Sequence, residues 1–141
     1  MARKIKVMVE TGRDLFSCFM IGAGDLGFGL HGDGKTARSA IQDFCLARDE
    51  MKAFYEKQGK NFPELDFDFM FDVGAFFSYY PINVTAFAEY SGMNASLLRQ
   101  YACGLKKPAQ KTIDKVRDAV GNLIRDIDAG RLIDRPVPQY I

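Results

Sequence analysis

The chain has 141 residues, 48% of them hydrophobic, and a formal net charge of +1. That content supports a packed core and argues against disorder, and the length allows one ordinary domain or two small ones. The three scattered cysteines and the single histidine, His31, offer neither a disulfide framework nor a metal set, and no apolar run approaches the roughly 20 residues of a membrane span.

The opening MARKIKVMVE is basic but lacks the continuous apolar stretch of a signal peptide. Cys18, Cys45 and Cys103 lie among apolar residues and are expected to be reduced core thiols of a cytoplasmic protein. Residues 1–80 carry 10 Lys+Arg against 12 Asp+Glu, and residues 81–141 carry 9 against 6. A weakly acidic front and a basic rear suggest different partners.

In KIKVMVE, Ile5, Val7 and Val9 alternate with Lys4, Lys6 and Glu10, which predicts a strand with one wet face. TGRD reads as a turn, and Leu15 to Ile21 as a second strand that forms a hairpin with the first. Leu26, Phe28 and Leu30 alternate with glycines in LGFGLHG and predict a short third strand. Thr36 is placed to cap a helix reaching about Gln58, with Ala37, Ile41, Phe44, Cys45, Met51, Phe54 and Tyr55 on its apolar side. LDFDFMFD alternates again and predicts a fourth strand, its outer row carrying Asp66, Asp68 and Asp72. Beyond Asp72 the signal turns helical as far as about Asp128, with Gly130 as a stop and RLIDRPVPQYI as an extended tail.

Two glycine patterns look like nucleotide sites. Gly29 to Thr36 fits G-x-x-x-x-G-K-[ST], and Gly22 to Gly27 fits G-x-G-x-x-G. Their context is wrong. The strand before the first is half glycine, Asp72 ends a one-sided strand, and the second pattern lies between strands. The glycines are expected to serve turns, and no cofactor is expected. Asp66, Asp68 and Asp72 form a row on one strand, not acids converging on a metal, and no catalytic set stands out. The chain is therefore not expected to be an enzyme.

VTAFAEYSGMNASLLRQYACG, Val84 to Gly104, has the grammar of a DNA-binding helix-turn-helix. Phe87 and Ala88 belong to a first helix capped by Asn83 or Thr85, Gly92 permits the turn, and Met93 points inward. Leu98 and Tyr101 then hold the second helix, leaving Asn94, Ala95, Ser96, Arg99 and Gln100 for a major groove. Asn and Gln pair with adenine edges, and Arg with guanine or phosphate. Lys106 and Lys107 fall in the next loop for the duplex backbone, and Lys111 opens a further helix whose row Ile113, Val116, Val120, Leu123 and Ile127 closes the small core.

The stretches KVMVE, DLFSCFMIG, FGLHGDGKTARSAIQDF and FPELDFDFMFD, followed by FAEYSGMNASLLRQYACGLKKPAQKTIDKV, resemble HicB-type antitoxins with a C-terminal helix-turn-helix of the Xre/Cro kind. The resemblance covers most of residues 3–120. It implies an α+β chain: a partial RNase H-like β-β-β-α-β domain (1–75) without catalytic acids, an all-α helix-turn-helix domain (76–130) and a tail (131–141). It implies a small basic mRNA-cleaving toxin of the HicA type as one partner and operator double-stranded DNA as the other, with a homodimer or higher oligomer binding the promoter as a repressor. Many relatives carry glutamates where this chain has Ala37, Arg38 and Ser39. Asp66 and Asp68 are then the candidate toxin-facing acids, and a stand-alone transcriptional regulator is the alternative.

Overall fold

The computed structural model describes residues 1–133 and has an α+β architecture. Four strands form one mixed sheet: β1 (Arg3–Thr11), β2 (Phe16–Ile21), β3 (His31–Gly34) and β4 (Leu65–Phe71). The order across the sheet is β3-β2-β1-β4, with β1, β2 and β3 antiparallel and β4 returning parallel to β1. The helix α1 (Ala37–Lys57) separates β3 from β4, and α2 (Val73–Tyr79), α3 (Val84–Ser91), α4 (Ala95–Ala102) and α5 (Gln110–Ala129) follow. By compactness the chain divides into Met1–Pro108 and a second unit starting at Ala109. The sequence pattern instead changes from β to α near residues 73–83; α2, α3 and α4 share the sheet's unit because α2 packs on β1 and α1 and supports α4.

The alternation in β1 does what its pattern predicts. Ile5, Val7 and Val9 are buried, and Lys4 and Lys6 are exposed. The inner face is covered by α1, whose Ala37, Ala40 and Phe44 have no exposed surface. Phe44 meets the inward rings of β4 edge-on, with centroids 4.9 Å from Phe67 and 6.2 Å from Phe69. Burial of a Phe of this kind stabilises the fold by about 2–3 kcal/mol. Thr36 caps α1 in a reciprocal box with Ser39, and the helix ends at Gln58 before Gly59, as the spacing predicts. Phe54 departs from expectation: it is 53% exposed, on the outer side of α1.

The third strand lies later than LGFGLHG predicts. Gly24–Leu26 is a single 3-10 turn closed by left-handed Gly27, and pairing with β2 begins only at His31. Where it forms, β3 lies close against α1. A Cβ on Gly32 would collide with the backbone of Ala40 and Phe44, coming within 2.8 Å of the Phe44 Cα. The glycines of GDG thus let β3 lie against a helix backbone. The second strand starts at Phe16, one residue after the sequence expectation, because Leu15 closes the turn by accepting from the Gly12 N–H.

Cys18 is fully buried, and burial, with Cys45 nearby, pushes its thiol up to about 12. Cys45 is half-buried and Cys103 is exposed, so the expectation of three core thiols fails for Cys103. It occupies the C-cap of α4, outside the sheet's core. In the tail, residues 131–133 have no regular structure, and 134–141 lie outside the described residues.

Thr11, at the end of β1, is a buried polar residue. Its N–H and hydroxyl donate to Asp72, at 2.7 and 2.6 Å. The same carboxylate accepts the Ala75 N–H at 2.9 Å and so caps α2. One side chain therefore ties β1, the end of β4 and the first helix beyond the sheet. Asp72→Ala leaves the Thr11 donors and the helix terminus unsatisfied. It should lower unfolding free energy by about 2–4 kcal/mol in urea titrations. A loss below about 1 kcal/mol would remove Asp72 from this role.

Candidate nucleic-acid interface

Two short helices and the turn between them follow from local sequence. Asn83, and not Thr85, caps α3: its side chain accepts the Ala86 N–H at 2.9 Å. Phe87 and Ala88 are buried on the inner side of α3, and the Phe87 ring packs edge-on against Phe77 at 5.2 Å. Gly92 ends α3 with φ +73, a conformation in which a side chain is strained. The Met93 N–H then returns to the Ala88 carbonyl at 3.0 Å. Asn94 caps α4 by accepting the Leu97 N–H at 2.9 Å, and Leu98, only 1% exposed, anchors that helix among its neighbours.

The outward side of α4 carries Ser96, Arg99, Gln100 and Cys103, at the i, i+3, i+4 and i+7 spacing of one helical face. Asn94, Ser96 and Arg99 are exposed, Gln100 is half-buried, and Ala95 is half-buried. Arg99 is not a free fork: one Nη1 donates to Thr85 Oγ1 at 3.0 Å, which holds the guanidinium across α3 and α4. This partner is missed by sequence reasoning, which considers Thr85 only as a cap. Asn94 likewise spends its side-chain oxygen on the helix, leaving its amide N–H groups for a ligand.

Beyond α4 the chain turns sharply. The Gln100 carbonyl accepts from the Leu105 and Lys106 N–H groups at 3.0 and 3.3 Å. Gly104, with φ +79, passes so close to β1 that a Cβ would stand 2.9 Å from Thr11 Cγ2. This places Lys106 and Lys107 at the surface, where Lys107 Nζ is 3.9 Å from Glu10 Oε1. Both partners are well exposed, so the pair holds Lys107 only loosely. Lys111 is exposed in the first turn of α5, in the second compact unit. Within α5, Ile127 is 67% exposed.

The glycine-rich pattern has a different geometry. At the start of α1 the Thr36 N–H donates to Ser39 Oγ, the Ala37 N–H to Ser78 Oγ and the Ser39 N–H to Thr36 Oγ1, each at 3.0 Å. The Asp33 N–H donates to Asp43 at 2.9 Å. These four donors thus have partners inside the chain. Asp33 itself accepts from Ser17 and contacts His31 at 2.9 Å, and these bonds hold its carboxyl below the usual range.

Asp66 and Asp68 are exposed on β4, as the alternation predicts. The parallel register sets them beside Lys4 and Lys6 of β1, so their face carries both signs of charge. Among the described residues, no group of three or more His, Cys, Asp or Glu side chains is placed to hold a metal ion, and no helix is long and apolar enough to cross a membrane.

Asn94 has a structural duty separable from any ligand contact. Asn94→Ala should cost about 1 kcal/mol of stability, and Asn94→Asp, which keeps the accepting oxygen, only a fraction of that, as read by thermal and urea unfolding. Equal losses in the two variants would contradict the capping role. The chain matches no protein-family model, no curated protein and no solved structure.

Proposed function

We propose that this chain is a DNA-binding antitoxin of the HicB type: a front β-β-β-α-β domain that holds a small mRNA-cleaving toxin, and a helix-turn-helix, α3 and α4, that binds the operator of its own promoter. The observation that carries the reading is the build of α4. Its apolar side is fixed by Leu98, its start is capped by Asn94, and its other side offers Ser96, Arg99 and Gln100. A helix of this kind enters a major groove side-on, with its polar residues against base edges. The left-handed turn at Gly92 and the Arg99–Thr85 bond support a fixed angle between the two helices. Lys106 and Lys107 stand in the loop after α4, where basic side chains neutralise phosphates.

The β-β-β-α-β order, with β4 returning parallel to β1, supports a partial RNase H-like front domain. As a dimer, the protein would read half-sites about 34 Å apart. A stand-alone regulator is the second reading, and one observation favours it. The acids offered to a basic toxin, Asp66 and Asp68, have Lys4 and Lys6 beside them, which weakens the field a basic partner would feel.

Binding to the chain's own promoter DNA, measured by fluorescence anisotropy over a range of salt, tests the DNA reading. Arg99→Ala should relax sequence preference at a cost of about 1–3 kcal/mol on the operator and little on random DNA. Lys106→Ala should weaken binding to every sequence and lower the salt slope by about one. Equal losses from Arg99→Ala on both DNAs would count against base reading. For the toxin, co-expression with the adjacent reading frame should rescue growth and yield a co-purifying pair; rescue without this chain present would exclude it as the antitoxin.

A further inference from the structure

Within Met1–Pro108 the sheet carries α1 on one face, and the other face has a specific arrangement of charge. Successive side chains of a strand alternate between faces. The outward residues of β1 are therefore Lys4, Lys6, Met8 and Glu10, and those of β4 are Asp66, Asp68 and Met70. The parallel register pairs Lys4 with Asp66, Lys6 with Asp68 and Met8 with Met70. On the other side of β1, Phe19 lies opposite Met8 and Ile21 opposite Lys6. The face thus carries an apolar band, with Ile21 and Met70 each 41% exposed, beside a column of lysines and a column of aspartates. Lys4, Lys6, Asp66 and Asp68 form no ion pair among the described residues.

We infer that this face binds a second copy of the chain, sheet against sheet, about a two-fold axis running along the strands between β1 and β4. That operation exchanges the two columns. Lys4 then faces Asp66 of the second copy, Lys6 faces its Asp68, and Met8 faces its Met70, each contact occurring twice. Stacked sheets sit about 10 Å apart, a gap that side chains from both faces span. Their strands cross at about 30°, so the match is best near the axis, where Lys6, Asp68, Met8 and Met70 lie. A partner of one charge sign would meet as many like charges as opposite ones on this face, whereas the chain itself supplies the matching pattern. The lysine stems extend the apolar band while their ammonium groups reach the aspartates. This surface is distinct from α4, and the inference does not rest on DNA binding.

Sedimentation velocity of the full chain, with circular dichroism to verify folding, tests the arrangement. The wild type should self-associate through this contact. Lys6→Asp and Asp68→Lys should each raise the dissociation constant of that step about tenfold or more, because each creates two like-charge contacts per dimer. Mixing the two variants should restore association, since reversed charges then meet across the axis in both positions. That rescue cannot arise within one chain. Met8→Glu should also weaken the step and provides a second reading if a charge variant fails to fold. A wild type without self-association, single variants that associate as the wild type does, or a mixture that stays dissociated would each overturn the inference.

Discussion

The fold beyond the sheet depends on the carboxylate of Asp72 and the buried Thr11 it holds. Thr11 ends the central strand β1, and its N–H and hydroxyl both donate to Asp72. The acid also caps α2, so the chain leaves β4 directly into a helix whose first turn lies against β1. Two glycines accept the crowding around that threonine. A Cβ on Gly74 would collide with the Thr11 side chain, standing 2.9 Å from its Cβ, and one on Gly104 would press on it from the loop after α4. A hydrogen bond to a charged acceptor in this half-buried position contributes about 1.5–3 kcal/mol. Its positional effect reaches further, since the beginning of α2 and the exit from α4 both meet the same residue.

This junction gives the Met1–Pro108 unit two separate kinds of surface. The sheet uses one face for the core under α1, and on the other the lysines of β1 stand beside the aspartates of β4. The helices after Asp72 bury Phe77, Phe87, Ala88 and Leu98 and leave the polar side of α4 outward. The two surfaces differ in shape and chemistry. One is a sheet face with both signs of charge, and the other a short capped helix with amide and guanidinium groups.

Much of this was legible in the residue order because the governing interactions are local. Alternation in KIKVMVE and LDFDFMFD gives two strands and their buried faces. Thr36, Asn83 and Asn94 mark helix starts because their side chains satisfy N–H groups two or three residues ahead. What was missed lies between segments distant in sequence. The glycines of β3 report the approach of the α1 backbone, which no pattern within GDG reveals. Asp72 continues the alternation of β4, so it reads as a surface acid until Thr11, 61 residues earlier, is brought beside it. The pairing of Asp66 with Lys4 depends on a parallel register set by the crossover through α1. On α4, the exposed side was readable from its 3.6-residue period, but the tether from Arg99 to Thr85 was not, because it joins two helices.

In the proposed function α4 offers its polar side to a duplex. Amide chemical-shift mapping of the labelled chain during titration with its own promoter DNA tests this most directly. Perturbations should concentrate on Gly92, Ser96, Arg99, Gln100 and Lys106, with the outward residues of β1 and β4 unchanged. Saturable binding whose perturbations fall on the sheet and spare α4 would contradict it.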